Sequence, residues 1–483
     1  MKILHVASEM APLAKQGGLG DVLGALPAAL RKKGVDARVL LPVFPGVMEN
    51  ARKEGFVCEK LPQEIHVALD WKVYTATVWK AEGRGLSVYL LEQPDLFTNP
   101  KIYPMALTGQ TALPFVFLSL GALELPKCAA WQPEILHVHD WSTAILPIAL
   151  RWHRHYRMLA SSYDVVLTIH NLAHQGIVDP GILQSWGLTK DAFLLEGMEF
   201  YGQANILKGG IVSSDVITTV SPNYSWDIQT EDGGLGLHGV FSSRRGKLIG
   251  ILNGIDYDIW SPSNDKLLPA AYTADDLAGK AICRKRLVEM TGWNDDGKPI
   301  MTFIGRLFQQ KGVDILTTCL ERTMAGRYRV ALIGSGLPQY ESWIHEFQQR
   351  HPDCFWGYTD FNEKIAHLAY AGSDILLMPS LFEPCGLSQM IAMSYGTIPV
   401  VRSTGGLADT VIDFDSSIDG TGFLFSEYNA EELARAIDRA IAAYADASRW
   451  STLMQNAMGA DFSWKSSSDE YIDMYRNLRS GAI

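Results

Sequence analysis

Short apolar runs recur along the chain and alternate with helix-like stretches. In the first half they are KILHVA at the start, ARVLLPV at 37–43, ILHVHD at 135–140, DVVLTIHN at 164–171 and VITTVS at 216–221. Runs apolar on both faces, interleaved with helices, predict a parallel sheet buried on both sides. DVLGALPAALRKKG at 21–34 reads as one such helix, with its stop signal at Lys-Lys-Gly. The pattern then restarts: IMTFIGRL at 300–307, VALIGSG at 330–336, DILLMPS at 374–380 and TIPVVRS at 397–403. Helix-like PCGLSQMIAMSYG lies between the last two runs, and Pro384 suits the first position of a helix there.

Two β-α-β series predict an α/β chain of two doubly wound, Rossmann-like domains facing each other across a cleft. The length of 483 residues fits two or more cores. The best linker is 254–275, GIDYDIWSPSNDKLLPAAYTAD, which is rich in Pro, Asp and Ser and weakly periodic. That places an N-terminal domain at 1–253, a C-terminal domain at 276–460 and a final helix at 461–483. The final segment, SWKSSSDEYIDMYRNL, reads as a capped amphipathic helix expected to return to the N-terminal domain.

Composition narrows the class. With 47% hydrophobic and 20% charged residues the chain is ordinary globular material. A formal net charge of -11 disfavours a nucleic-acid partner, while leaving room for a local basic pocket. Cys58, Cys128, Cys283, Cys319, Cys354 and Cys385 are scattered without a Cys-x-x-Cys pair, which signals neither zinc nor a redox couple and fits a reducing compartment. The start, MKILHVASEM, lacks a signal-peptide pattern, and no window approaches about 20 uninterrupted apolar residues. A cytoplasmic protein without a membrane partner is the expectation.

The same device occurs twice: KQGGLGDV at 15–22 and STGGLADT at 403–410. Each Gly-Gly follows a strand and opens a helix, the setting in which backbone amides approach an anion. A bare turn is the plain alternative for either one alone. Two facing domains would each offer one such loop to a single phosphorylated ligand. Arg306 and Lys311, five apart in GRLFQQKG after a strand, are surface cations or a clamp on a diphosphate. HVHD at 137–140 resembles the ligand runs of metal-dependent hydrolases, with His170 and His174 available to complete a site. The competing view is buried histidines satisfied by backbone, and clustered carboxylates from later strand ends are lacking.

KQGGLGDV, FYGQANILKGG, GRLFQQKG and PSLFEPCGLSQMIAMSYGTIPVVRSTGGLADTV together closely resemble the bacterial glycogen synthases and plant starch synthases. HVHDW, TIHNLAHQG, ITTVSP, ILNGID and the terminal FSW with its tyrosines extend the resemblance over nearly the whole chain. It implies the GT-B fold and a retaining, metal-free, cofactor-free transfer of glucose to the non-reducing end of an α-1,4-glucan. The implied donor is usually ADP-glucose; the chain's own residues leave UDP-glucose open. In the resemblance Lys15, Gly17 and Gly18 belong to the donor site and Asp21 to the ribose region. Arg306 and Lys311 hold the diphosphate, and Glu383 contacts sugar hydroxyls. Asp140, His170 and Asn171 lie near the transferred glucose, and Tyr358 stacks on the adenine. Tyr103, Asn253, Cys385, Gly386, Thr404, Gly405 and Gly406 complete the substrate-binding set. Many wider relatives carry a second glutamate eight positions after the first; here that position is Ile391, as in the nearer family. A metal hydrolase, a non-catalytic glucan-binding protein and a phosphorylase are the competing readings, the last without a recognisable pyridoxal-phosphate lysine segment.

Overall fold

The structure is a computed structural model that describes residues 1–360 and 362–483. It divides into two compact units. The first comprises Met1–Val220, Ser225–Leu252 and Trp464–Ile483, and the second Ser221–Tyr224 and Asn253–Ser463.

The first unit is built on seven parallel strands: β1 (Lys2–Val6), β2 (Asp36–Pro42), β3 (Leu86–Glu92), β4 (Ile135–His139), β5 (Asp164–Ile169), β6 (Val216–Thr219) and β7 (Leu248–Gly250). Their spatial order is β7-β6-β5-β4-β1-β2-β3. Val73–Gly83 pairs antiparallel with β3, and Val57–Lys60 and Ile65–Ala68 pair with it in turn, giving ten strands in the sheet. Helix α1 (Gly18–Lys32) follows β1, starting three residues before the expected helix. The second unit has six parallel strands: β8 (Ile300–Ile304), β9 (Arg329–Ile333), β10 (Phe355–Tyr358), β11 (Ile375–Met378), β12 (Ile398–Arg402) and β13 (Phe423–Phe425). Their order is β10-β9-β8-β11-β12-β13. Strand order therefore reverses between β1 and β4 in one unit and between β8 and β11 in the other. At such a reversal the loops after the two central strands splay apart and leave a crevice for ligands.

Three features differ from the expectation. Residues 254–275 are not a free linker but part of the second unit. Asp265 accepts from Tyr395 Oη at 2.6 Å and lies 2.7 Å from His367 Nδ1, while Tyr272, 4% exposed, donates to the Tyr395 carbonyl. The helix after β11 does not begin at Pro384. It spans Ser388–Ser394, because Gly386 at φ +72° interposes a left-handed turn. Finally, the strands of the first unit are not uniformly apolar.

His5 on β1 is in register with His137 on β4, His139 with Thr168 on β5, and Thr168 with Thr218 on β6. Registered neighbours share a face, so these residues form one polar row inside the sheet. The last helix, α2 (Trp464–Ser480), packs against α1 and covers this row: the Tyr475 hydroxyl is 2.6 Å from His137 Nδ1. Lys33 beyond α1 pairs with Asp469 at 2.5 Å on the same helix. The terminal helix thus returns to the first unit.

Candidate active site

In the first unit the loops at the strand-order reversal follow β1 and β4. The first begins Ala7-Ser8-Glu9 and runs to Gly17; the second begins at Asp140. They are tied together by Ser8 Oγ, 3.1 Å from Ser142 Oγ and 2.9 Å from the Tyr103 hydroxyl. The organising group is Glu9, only 2% exposed. Its Oε2 accepts from the amides of Gln16 at 2.6 Å and Gly17 at 2.7 Å, and its Oε1 accepts from the Tyr103 hydroxyl at 2.7 Å. Burial next to this carboxylate holds the Tyr103 phenol well above its ordinary range. Tyr103 is therefore a tether of the loop here, and its hydroxyl points at Glu9.

Two of the loop amides expected to face an anion thus serve Glu9. Gly18, where α1 begins, is open: a Cβ there would meet no heavy atom of the described residues within 4 Å. Lys15 Nζ pairs with Asp21 Oδ1 at 2.6 Å, with the side chains 47% and 33% exposed. A pair so exposed is worth about 0–1 kcal/mol, so a phosphate can draw Lys15 away at little cost.

Asp140 closes β4 with φ +56°, a backbone region that Asp tolerates better than most residues. Its Oδ1 accepts from the His170 amide at 2.7 Å and the Asn171 amide at 3.4 Å, fastening the loop after β4 to the loop after β5. Burial pushes the carboxyl up to about 7, against the two amides that favour the anion. A carboxyl raised in the folded chain stabilises most below its unfolded value and loses that contribution as pH rises through about 7. Asp140→Asn keeps an acceptor oxygen and removes the titration. Melting temperature against pH for the two proteins should therefore differ by a constant below about pH 4 and shift in favour of the variant up to pH 8. Parallel curves throughout would show that Asp140 does not titrate there.

The histidines of HVHD are held by side chains rather than by backbone. His5 Nδ1 lies 3.2 Å from His139 Nε2, and His139 Nδ1 lies 3.0 Å from His170 Nε2. His137 is held by Tyr475 and, through Nε2, by Thr168 Oγ1 at 2.6 Å. Ligand atoms of His5, His137 and His139 come within 4.8 Å of one another. The residues fit a metal poorly all the same: both nitrogens of His137 and of His139 are engaged, and the Asp140 carboxylate serves the loop amides.

In the second unit the corresponding loops follow β8 and β11. Arg306 is exposed, its guanidinium 5.8 Å from the Phe308 ring centre. Among the described residues it has no ion-pair partner. Lys311 Nζ meets Glu383 Oε2 at 2.6 Å, joining the two loops, with the carboxylate 6% and the ammonium 22% exposed in their side chains. Ser380 Oγ donates to the same oxygen at 3.0 Å. The cation and the carboxylate, read from sequence as independent groups, are thus one pair.

The second Gly-Gly serves the fold itself. A Cβ on Gly405, at φ +45°, would lie 2.0 Å from the Glu383 carbonyl oxygen, and one on Gly406 would lie 2.2 Å from that of Cys385. The Gly406 amide donates to the Glu383 carbonyl at 3.1 Å. Thr404 precedes this helical turn without capping it through its side chain. Cys385 is 5% exposed, and burial pushes its thiol up to about 12, so it is no nucleophile. Asn253 belongs to this unit, with its Oδ1 buried and without a hydrogen-bond partner among the described residues. Gly386 turns the chain towards buried Gln389, and Tyr358 ends edge strand β10, its ring parallel to that of Trp356 at 5.8 Å.

The residues that sequence reasoning missed are Glu9, Ser142 and Ser380. Glu9 carried a usable signal, an acid three residues past the C-terminal end of β1.

Residues 2–243 match the family model described as Starch synthase catalytic domain, and residues 291–455 match that of Glycosyl transferases group 1. The chain is 40% identical over 481 residues to a glycogen synthase of Anaeromyxobacter, covering 99% of each. It is 40% identical over 484 residues to a glycogen synthase of Thermotoga maritima, covering 99% of this chain and 98% of that one. The catalytic domain of starch synthase IV from Arabidopsis thaliana, solved with ADP and acarbose, superposes with a TM-score of 0.91 at 34% identity over 99% of each chain. Sucrose-phosphate synthase from Thermosynechococcus elongatus shares the fold at a TM-score of 0.62 and 17% identity.

Proposed function

The chain belongs to the family of glycogen and starch synthases, glucosyltransferases that elongate a glucan, and from that premise we propose that it draws glucose from ADP-glucose with retention of the anomeric configuration. The observation that carries this reading is the second unit's strand-order reversal, where Arg306 stands exposed beside the Lys311–Glu383 pair. Loops at such a reversal take the phosphorylated ligand.

In this reading Arg306 and Lys311 hold the diphosphate. Negative charge grows on the leaving oxygen as the bond from the anomeric carbon breaks, and fixed cations stabilise that state more than the ground state. The acceptor hydroxyl attacks from the same face. Its oxygen forms the new bond to the anomeric carbon, and its proton passes to the departing phosphate oxygen. Glu383 positions Lys311 and contacts sugar hydroxyls. The Lys15–Gly18 loop is assigned to phosphate, Tyr358 to the base, and Asp140, His170 and Asn171 to the orientation of the transferred glucose. No step calls on a metal or other cofactor.

The test is incorporation of labelled glucose into glycogen from ADP-glucose and from UDP-glucose, each with and without EDTA. ADP-glucose is expected to be preferred by about tenfold or more, unaffected by EDTA, with an α-linked product. Preference for UDP-glucose would overturn the donor assignment. Activity that EDTA abolishes and a metal restores would return attention to HVHD.

A further inference from the structure

Three histidines of the first unit form a line, His5, then His139, then His170, of which the reaction scheme uses only the last. His5 and His139 are 0% exposed, and their rings stack at 5.5 Å between centres. Each link joins one ring nitrogen to the next, 3.2 Å from His5 Nδ1 to His139 Nε2 and 3.0 Å from His139 Nδ1 to His170 Nε2. A neutral imidazole carries one N–H, so His139, which makes both links, must donate at one and accept at the other. The line therefore has only two states, with all donors pointing one way or all the other.

The far end decides between them. His5 Nε2 is buried and has no hydrogen-bond partner among the described residues. If the line ran from His170 towards His5, that nitrogen would be a buried N–H with nothing to receive it. In the opposite sense it is only an unused lone pair. Orphaned buried N–H groups are rarer than under-used acceptors. His5 then donates from Nδ1, His139 donates from Nδ1, and His170 accepts at Nε2.

We infer that His5 and His139 are positioning residues that hold His170 as its Nδ1–H tautomer, so that this ring offers substrate a hydrogen-bond donor. The inference rests on the reading that His170 contacts the sugar. Burial keeps the three rings neutral, with His5 and His170 each lowered to about 3. His137 lies beside the line, its ring 4.4 Å from that of His139, but it is engaged separately by Tyr475 and Thr168. The sugar partner is accordingly a hydroxyl oxygen acting as acceptor.

Long-range proton–nitrogen spectra of the full chain labelled with ¹⁵N-histidine read the tautomers directly, with His170→Asn identifying the His170 signals. Protonated Nδ1 and bare Nε2 are expected for His170, His139 and His5; a protonated Nε2 on His170 would overturn the inference. This readout does not depend on turnover, so a chain that makes no glucan would sink the functional reading alone. Kinetics supply the second arm. His5→Leu should lower kcat about tenfold with ADP affinity unchanged, while His5→Asn, which keeps a donor near the Nδ1 position, should recover most of that loss. Equal losses in the two variants would show that His5 only fills space.

Discussion

Lys311→Ala is expected to lower kcat by about 10²–10³-fold, the range seen when one preorganised charge-stabilising group is removed from a transition state. The structure adds a complication that a lone surface lysine would not have. Lys311 neutralises Glu383, whose side chain is 6% exposed, and the variant leaves that carboxylate with Ser380 as its side-chain partner among the described residues. Stranding one member of a largely buried pair costs stability. A lower melting temperature should therefore accompany the loss of rate. Lys311→Ala combined with Glu383→Gln separates the two effects. If Lys311 acts on the diphosphate, the double variant regains thermal stability but stays far slower than Glu383→Gln alone. If Lys311 only pairs with Glu383, the double variant matches Glu383→Gln alone in both rate and stability, and the clamp is refuted.

Alanine at Gly405 or Gly406 should cost about 3 kcal/mol of stability in the second unit and nearly all activity, because each methyl would collide with backbone rather than with a flexible side chain. The atoms struck belong to Glu383 and Cys385, so the strain falls on the segment carrying the Glu383 carboxylate. Gly18→Ala has the opposite expectation. Its Cβ meets nothing, and alanine is the better helix former by about 0.8–1 kcal/mol. It should leave melting unchanged or slightly raised and increase KM for the nucleotide sugar if a phosphate approaches there. Denaturant unfolding and initial rates on the three variants check this. A stable, active Gly406→Ala protein would contradict the close packing described.

That contrast shows where the sequence stops being legible. Both loops read Gly-Gly-Leu after a strand, and both do open a helix at their unit's C-terminal strand edge. Whether glycine is there for a ligand or for a neighbouring carbonyl depends on a segment about twenty residues away, at Glu383 and Cys385. Local pattern carries no trace of such an approach. The strands, their parallel pairing and the returning helix were readable, because each follows from burial on both faces or from helical periodicity. The pairing of Lys311 with Glu383 was not, since it spans 72 residues. Residues 254–275 look like a linker because Pro, Asp and Ser usually mark one. They pack instead because Asp265 finds Tyr395 and His367, far along the chain. Pro384 misled in the same way, its helical promise cancelled by a glycine two residues on.

The polar row of the first unit bears on how the protein is made. All seven of its parallel strands have been synthesised once Gly250 is added to the chain. His137 nevertheless waits for Tyr475, 338 residues later, to satisfy its Nδ1. Until the terminal helix is made, the polar row lacks its cover and His137 Nδ1 lacks its Tyr475 partner. Long-range closure of this kind is slow, and exposed intermediates associate readily. The first unit can complete the cover of its polar row only after the second unit has been synthesised.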